Sequence, residues 1–132
     1  MPSPRRPFAR PLAAGLALAL ALGACGGGVD RPSDCTAASV EREVTLTAAM
    51  RLDPESIVVC RDQAVTLTVQ AEAEGVLHLH GYDDQASAIQ VSVGQTATLA
   101  FDAVRSGQFI IEFHPAEGEG EVEAGILTVD EP

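Results

Sequence analysis

Residues 64–70 read Ala-Val-Thr-Leu-Thr-Val-Gln, placing Val65, Leu67 and Val69 on one side of an extended chain and Thr66, Thr68 and Gln70 on the other. Successive side chains of a strand point to opposite faces, so this alternation predicts a strand with one face in a core and one in water. The pattern recurs outward in both directions. Upstream, Val44, Leu46 and Ala48 alternate with Thr45, Thr47 and Ala49. Downstream, Leu77 and Leu79 alternate with Val76, His78 and His80, then Ile89, Val91 and Val93 with Gln90 and Ser92. Phe109 and Ile111 alternate with Ile110 and Glu112, and Ile126-Leu127-Thr128-Val129 closes the series. Turn-forming clusters such as Asp53-Pro54, Glu74-Gly75, Val93-Gly94-Gln95 and His114-Pro115 separate the blocks. No stretch of the chain beyond the leader described below sustains a 3.6-residue period over three turns. The expectation is an all-β fold, a two-sheet antiparallel sandwich of seven or eight short strands.

Length and charge limit what such a fold can do. The chain has 132 residues, 46% hydrophobic, with four Phe, one Tyr and no Trp. That suits one small domain with a marginal core and excludes a multidomain enzyme with a large cleft. All eight basic residues are Arg, against nineteen acids, for a net charge of −11. A surface of that sign repels phosphate backbones, so nucleic-acid binding is excluded.

The first quarter reads as an address. Met1–Arg10 carries three Arg and three Pro, and an apolar run from Pro11 to Ala24 leads to Cys25. Fourteen residues in a helix rise about 21 Å, short of the roughly 30 Å of a hydrocarbon core, so a secretory signal is favoured over a spanning anchor. Its end, Leu22-Gly23-Ala24-Cys25, resembles the lipobox of bacterial lipoproteins. The resemblance implies that residues 1–24 are a lipoprotein signal peptide, that Cys25 receives a diacylglycerol thioether, and that the protein is exported and lipid-anchored to a membrane of the cell envelope. Loss of Arg5, Arg6 and Arg10 with the leader leaves five Arg against nineteen acids, a mature charge of −14. Residues 25–34, Cys-Gly-Gly-Gly-Val-Asp-Arg-Pro-Ser-Asp, read as a flexible tether, and residues 35–132 as the folded domain.

Lipidation of Cys25 leaves Cys35 and Cys60, a pair expected to form a disulfide in an oxidising compartment. Closing that loop of about 25 residues is worth roughly 3 kcal/mol. A thiolate metal site is the less favoured alternative, since both Cys lie far in sequence from every His.

The three His carry the candidate chemistry. His78 and His80 are two apart on one predicted strand, hence on one face, and His114 follows the Gln108–Phe113 strand. Three imidazoles from neighbouring strands make a set suited to Cu(II) or Zn(II), with an open position. The bland alternative is two solvent-facing His on an edge strand and an unrelated loop His. Glu112 shares the register of His114 and can orient an imidazole or act as a ligand. Glu112, Asp83 and Asp84 read first as solvated surface, Tyr82 as a half-buried residue on the sandwich rim, and Glu117–Glu123 as a mobile acidic loop.

The stretch His78–Val129 resembles the C-terminal half of a cupredoxin domain, above all those of nitrous-oxide reductase and cytochrome oxidase subunit II. The similarity lies in His80-Gly81-Tyr82, in Val91-Ser-Val-Gly94-Gln95-Thr96-Ala97-Thr-Leu-Ala-Phe101, in Gly107-Gln108-Phe109 leading to Phe113-His114, and in Gly125–Val129. It implies a cupredoxin-like Greek-key sandwich and places His80 on the first His ligand of the family. The thiolate ligand is absent, because no Cys follows residue 60, and the loop from His114 to Gly125 holds no Met and no second His. Blue-copper and binuclear electron-transfer centres need that thiolate.

Two function classes follow. One is a membrane-anchored cupredoxin-like lipoprotein binding copper through His78, His80 and His114, for storage, delivery or sensing. The other is a metal-free envelope interaction module that holds a protein partner through strand edges or loops. An enzyme is not expected, for no nucleophile elbow or oxyanion-forming turn is present.

Overall fold

The computed structural model describes residues 35–85 and 87–132; the leader, Cys25 and the 25–34 tether lie outside the described residues. Among these residues the chain forms nine strands and no helix. One sheet has the order β2 (Leu52–Asp53), β1 (Ser39–Leu46), β4 (Ala64–Ala71), β7 (Thr96–Asp102). The other runs β3 (Ser56–Cys60), β9 (Val122–Asp130), β8 (Gly107–Pro115), β5 (Gly75–Leu79), β6 (Ala88–Val91). The alternating residues do what their period predicts. Val65, Leu67 and Val69 of β4 enter one core cluster with Leu77 and Leu79 of β5 and with Ile111 and Phe113 of β8. That cluster is the interior of an all-β sandwich.

The purely antiparallel arrangement needs correcting. β1 lies parallel to β4, with Ser39 beside Ala64 and Leu46 beside Ala71, and β3 lies parallel to β9. After β1 and β2 the chain crosses to the second sheet for β3, then returns as β4 beside β1. Alternation reports which face a side chain takes; it carries no information about the direction of the neighbouring strand. The ninth strand also has a physical origin. β3 reads Ser-Ile-Val-Val-Cys and buries four consecutive residues, so period two is absent from it. Ala48 and Val93 leave the core because each sits past the end of its strand, and Val93 is 61% exposed.

The expected disulfide joins Cys35 to Cys60, with Cα atoms 5.4 Å apart. Gln63, only 2% exposed, locks the same corner. Its Oε1 accepts from the Cys60 backbone N–H at 2.8 Å, and its Nε2 donates to the Ala37 carbonyl at 3.0 Å. At another corner Tyr82 is fully buried rather than half-buried. Its ring packs edge-on to Phe109 at 4.9 Å and tilted against Phe101 at 5.2 Å, while its hydroxyl donates to the Arg105 carbonyl at 2.9 Å. Burial pushes the Tyr82 hydroxyl pKa up.

Candidate metal centre

Because Leu77 and Leu79 face the core, His78 and His80 take the outer face of the five-stranded sheet, as their spacing predicts. On β8, Ile111 and Phe113 point inward, which puts Glu112 and His114 on that same outer face. The register then gathers them, for His78 lies opposite Glu112 and Val76 opposite His114. Gly75 permits this approach of β5 to β8. A Cβ there would sit 2.1 Å from the His114 carbonyl oxygen and 2.8 Å from the Phe113 ring. On the other side of β8 the pairing with β9 shifts between Ile111 and Glu112, so that Glu112 faces Glu123. Such irregularities re-aim side chains.

The three His do not converge on one point. Two of them, His80 and His114, flank a carboxylate. Glu112 Oε2 lies 2.7 Å from His80 Nε2, and Glu112 Oε1 lies 3.2 Å from His114 Nε2. His78 turns the other way and bonds Asp83 Oδ1 through Nε2 at 2.9 Å. Its ring lies 4.4 Å from that of His80 and 6.5 Å from that of His114. Among the described residues, the one group of three or more His, Cys, Asp or Glu with ligand atoms all within 4.8 Å of one another is Glu112, His114 and Glu121. His80 falls outside it.

Glu112 departs most from expectation. Its side chain is 14% exposed, so it is no solvated surface acid, whereas Asp83 and Asp84 are. Its Oε1 is buried, and despite the proximity of His114 it makes no hydrogen bond. Glu121 reaches the cluster from the acidic loop, which turns at Gly118 (φ 103°) and Gly120 (φ 104°), and stands 3.9 Å from His114 Nδ1. Two carboxylates this close need a proton or a cation between them. Contact with Glu121, helped by His80 and His114 and opposed by desolvation, holds Glu112 below the usual carboxylate range. Glu112 in turn holds Glu121 above it. Asp83 is lowered, chiefly by His78. Sequence reasoning missed Glu121; its only signal was membership of an acidic run.

The donors present fit a nitrogen–oxygen ion site and do not fit a blue-copper one. Both described Cys are locked in the disulfide, and Met50, the one described Met, packs against the core instead. Imidazole and carboxylate suit Cu(II) and Zn(II).

Comparison with known proteins bears on the fold. No protein-family model matches the chain, and no characterised relative matches it by sequence. Solved structures do. A copper binding protein in its apo form superposes with a TM-score of 0.56 at 11% identity, over 76% of this chain and 95% of that one. The metal binding domain of the Cu(I) exporting P-type ATPase CopA of Streptococcus pneumoniae gives 0.52 at 12% identity, over 75% and 92%. Auracyanin B gives 0.52 at 17%, over 71% and 90%. The chain has a cupredoxin-like fold. At these identities the likeness establishes the cupredoxin-like sandwich alone.

Proposed function

We propose that the chain is an exported, lipid-anchored, cupredoxin-like copper-binding protein of the cell envelope, which stores, delivers or senses copper through the His cluster and takes no part in blue-copper electron transfer. The observation that carries this reading is Glu112, a largely buried carboxylate whose two oxygens face His80 and His114. Polar atoms are seldom buried without partners, and an open carboxylate oxygen beside imidazoles is what a cation site needs. Two neighbours of the same fold, a copper binding protein in its apo form and a metal binding domain with Cu(I), support the choice of ion. Cys25 anchors the domain to the membrane in this reading. An envelope protein is the partner that gives or receives the ion, and the protein is a carrier rather than an enzyme. When bound, the ion would be held by His114 and Glu112, with His80 hydrogen-bonded to the second oxygen of Glu112.

The test is calorimetric titration of the full chain, Cys35–Cys60 oxidised, with Cu(II) and Zn(II) beside a His80→Ala/His114→Ala variant. Stoichiometric micromolar-or-tighter binding that the variant loses is the expected result. Weak binding equal in both proteins would leave a metal-free interaction module on the same scaffold.

A further inference from the structure

Resting on that reading of the cluster as an ion site, we infer that its ligands are His114, Glu112 and Glu121, that it takes a divalent cation, Cu(II) or Zn(II), in preference to Cu(I), and that His80 acts only by positioning Glu112. The geometry separates the roles. His114, Glu112 and Glu121 alone bring ligand atoms within 4.8 Å of one another. Ligands about 2.0–2.2 Å from a four-coordinate ion lie roughly 3–4 Å apart, so closure asks for about an ångström of movement. Glu121 comes from a loop and is exposed, so it can supply that movement. His80 is hydrogen-bonded to the opposite oxygen of Glu112, the Oε2, at 2.7 Å. That contact fixes the carboxylate so that Oε1, buried and without a hydrogen bond, lies 3.2 Å from His114 Nε2. His78 is held by Asp83 and lies further off.

The donor set decides the oxidation state. One imidazole and two carboxylates are borderline and hard ligands, whereas Cu(I) prefers thiolate or thioether. The clustered donors include no sulfur: both described thiols are in the disulfide, and Met50 is partly buried against the core. The ion this site retains is therefore the oxidised one, although a neighbour in fold is a domain with Cu(I) bound.

The experiment uses the full chain carrying Cys25→Ser, so that no free thiol competes. Cu(II), Zn(II) and, anaerobically, Cu(I) are titrated against chelators of known affinity, and Cu(II) samples are examined by electron paramagnetic resonance. The expected result is one divalent ion per chain, a one-nitrogen coordination pattern, and no Cu(I) withdrawn from its chelator. Glu112→Gln and Glu121→Gln each weaken Cu(II) at least about tenfold, and His114→Ala abolishes the nitrogen pattern. Loss of a supporting residue typically costs ~10–100-fold in affinity, so His80→Ala weakens binding on that scale while keeping the one-nitrogen pattern, and His80→Gln, which preserves a donor to Oε2, restores most of it. Three outcomes overturn the inference: Cu(I) held more tightly than Cu(II), a pattern of two or three nitrogens that shrinks in His80→Ala, or Glu variants that bind as the parent does. The last two would still leave a His copper site. Absence of binding by any ion would remove the function proposed above as well.

Discussion

The five-stranded sheet treats buried polarity in opposite ways at its two ends. Near the Cys60 end of β3, Gln63 is almost fully buried, and its amide oxygen and nitrogen each meet a backbone partner at 2.8 and 3.0 Å. At the end of β8 that carries His114, Glu112 is largely buried and leaves Oε1 without a hydrogen bond. A satisfied polar group fixes a chain in place and asks for nothing more. An open one is costly unless something else completes it, and that asymmetry separates a structural polar group from a binding one. The first corner holds the fold together, and the second is the one that a cation completes in the proposed function.

The sharpest way to break this contrast is to unlock the structural corner. Replacing Cys35 and Cys60 by Ser frees a loop of about 25 residues and should cost about 3 kcal/mol, seen as a lower denaturant midpoint. Below the new transition, divalent-ion affinity should be unchanged, because the disulfide lies at the far end of the strands from His114. A matching loss of affinity at temperatures where the variant is fully folded would show that the two ends are not independent.

A smaller effect is expected from Gln63→Ala. It strands the Cys60 N–H and the Ala37 carbonyl, and leaving buried partners unmade costs about 1–3 kcal/mol. Urea unfolding at fixed pH measures it. A loss much below that range would mean that water replaces the amide, and the corner would then be less closed than its exposure indicates.

These two corners differed in how far they could be read from the sequence. The sandwich was legible wherever one face of a strand is buried and the other wet, as at Val65-Thr66-Leu67-Thr68-Val69, because that division imposes period two. It was illegible at Ser56–Cys60, which is covered on both faces. Strand direction was beyond the pattern altogether, hence the parallel pairs β1–β4 and β3–β9. At the site, the shared face of His78 and His80 followed from spacing. What required the structure was the register between β5 and β8, which sets Glu112 rather than a third imidazole at the centre. Glu121 was hidden in a run of acids because only the turn of the loop brings it to His114. The imidazoles announced a site, and the carboxylates that define it looked like ordinary surface.

The smallest expected effect uses acidity to compare a closed acid with an open one. Asp84 is lowered from its ordinary 3.8, chiefly by the Arg105 guanidinium at 2.6 Å. A lowered carboxylate stabilises the fold above its unfolded value and loses that contribution as pH falls through its folded one. Glu121 is raised from 4.5, chiefly by Glu112, so its sign is reversed. Its contribution is present below the unfolded value and is lost as pH rises through the folded one. With chelator present to keep the site free of ions, Asp84→Asn should therefore lower Tm at pH 7 and lower it less as pH falls below 3.8. Glu121→Gln should raise Tm at pH 7 and not near pH 4. Both groups are exposed, so each shift should be on the order of a degree. Addition of Zn(II) should reverse the second result, since the cation replaces the repulsion in the parent protein and finds one carboxylate fewer in the variant. If Glu121→Gln lowers Tm with chelator present, the two acids share no strained contact, and the open end of the sheet is satisfied after all.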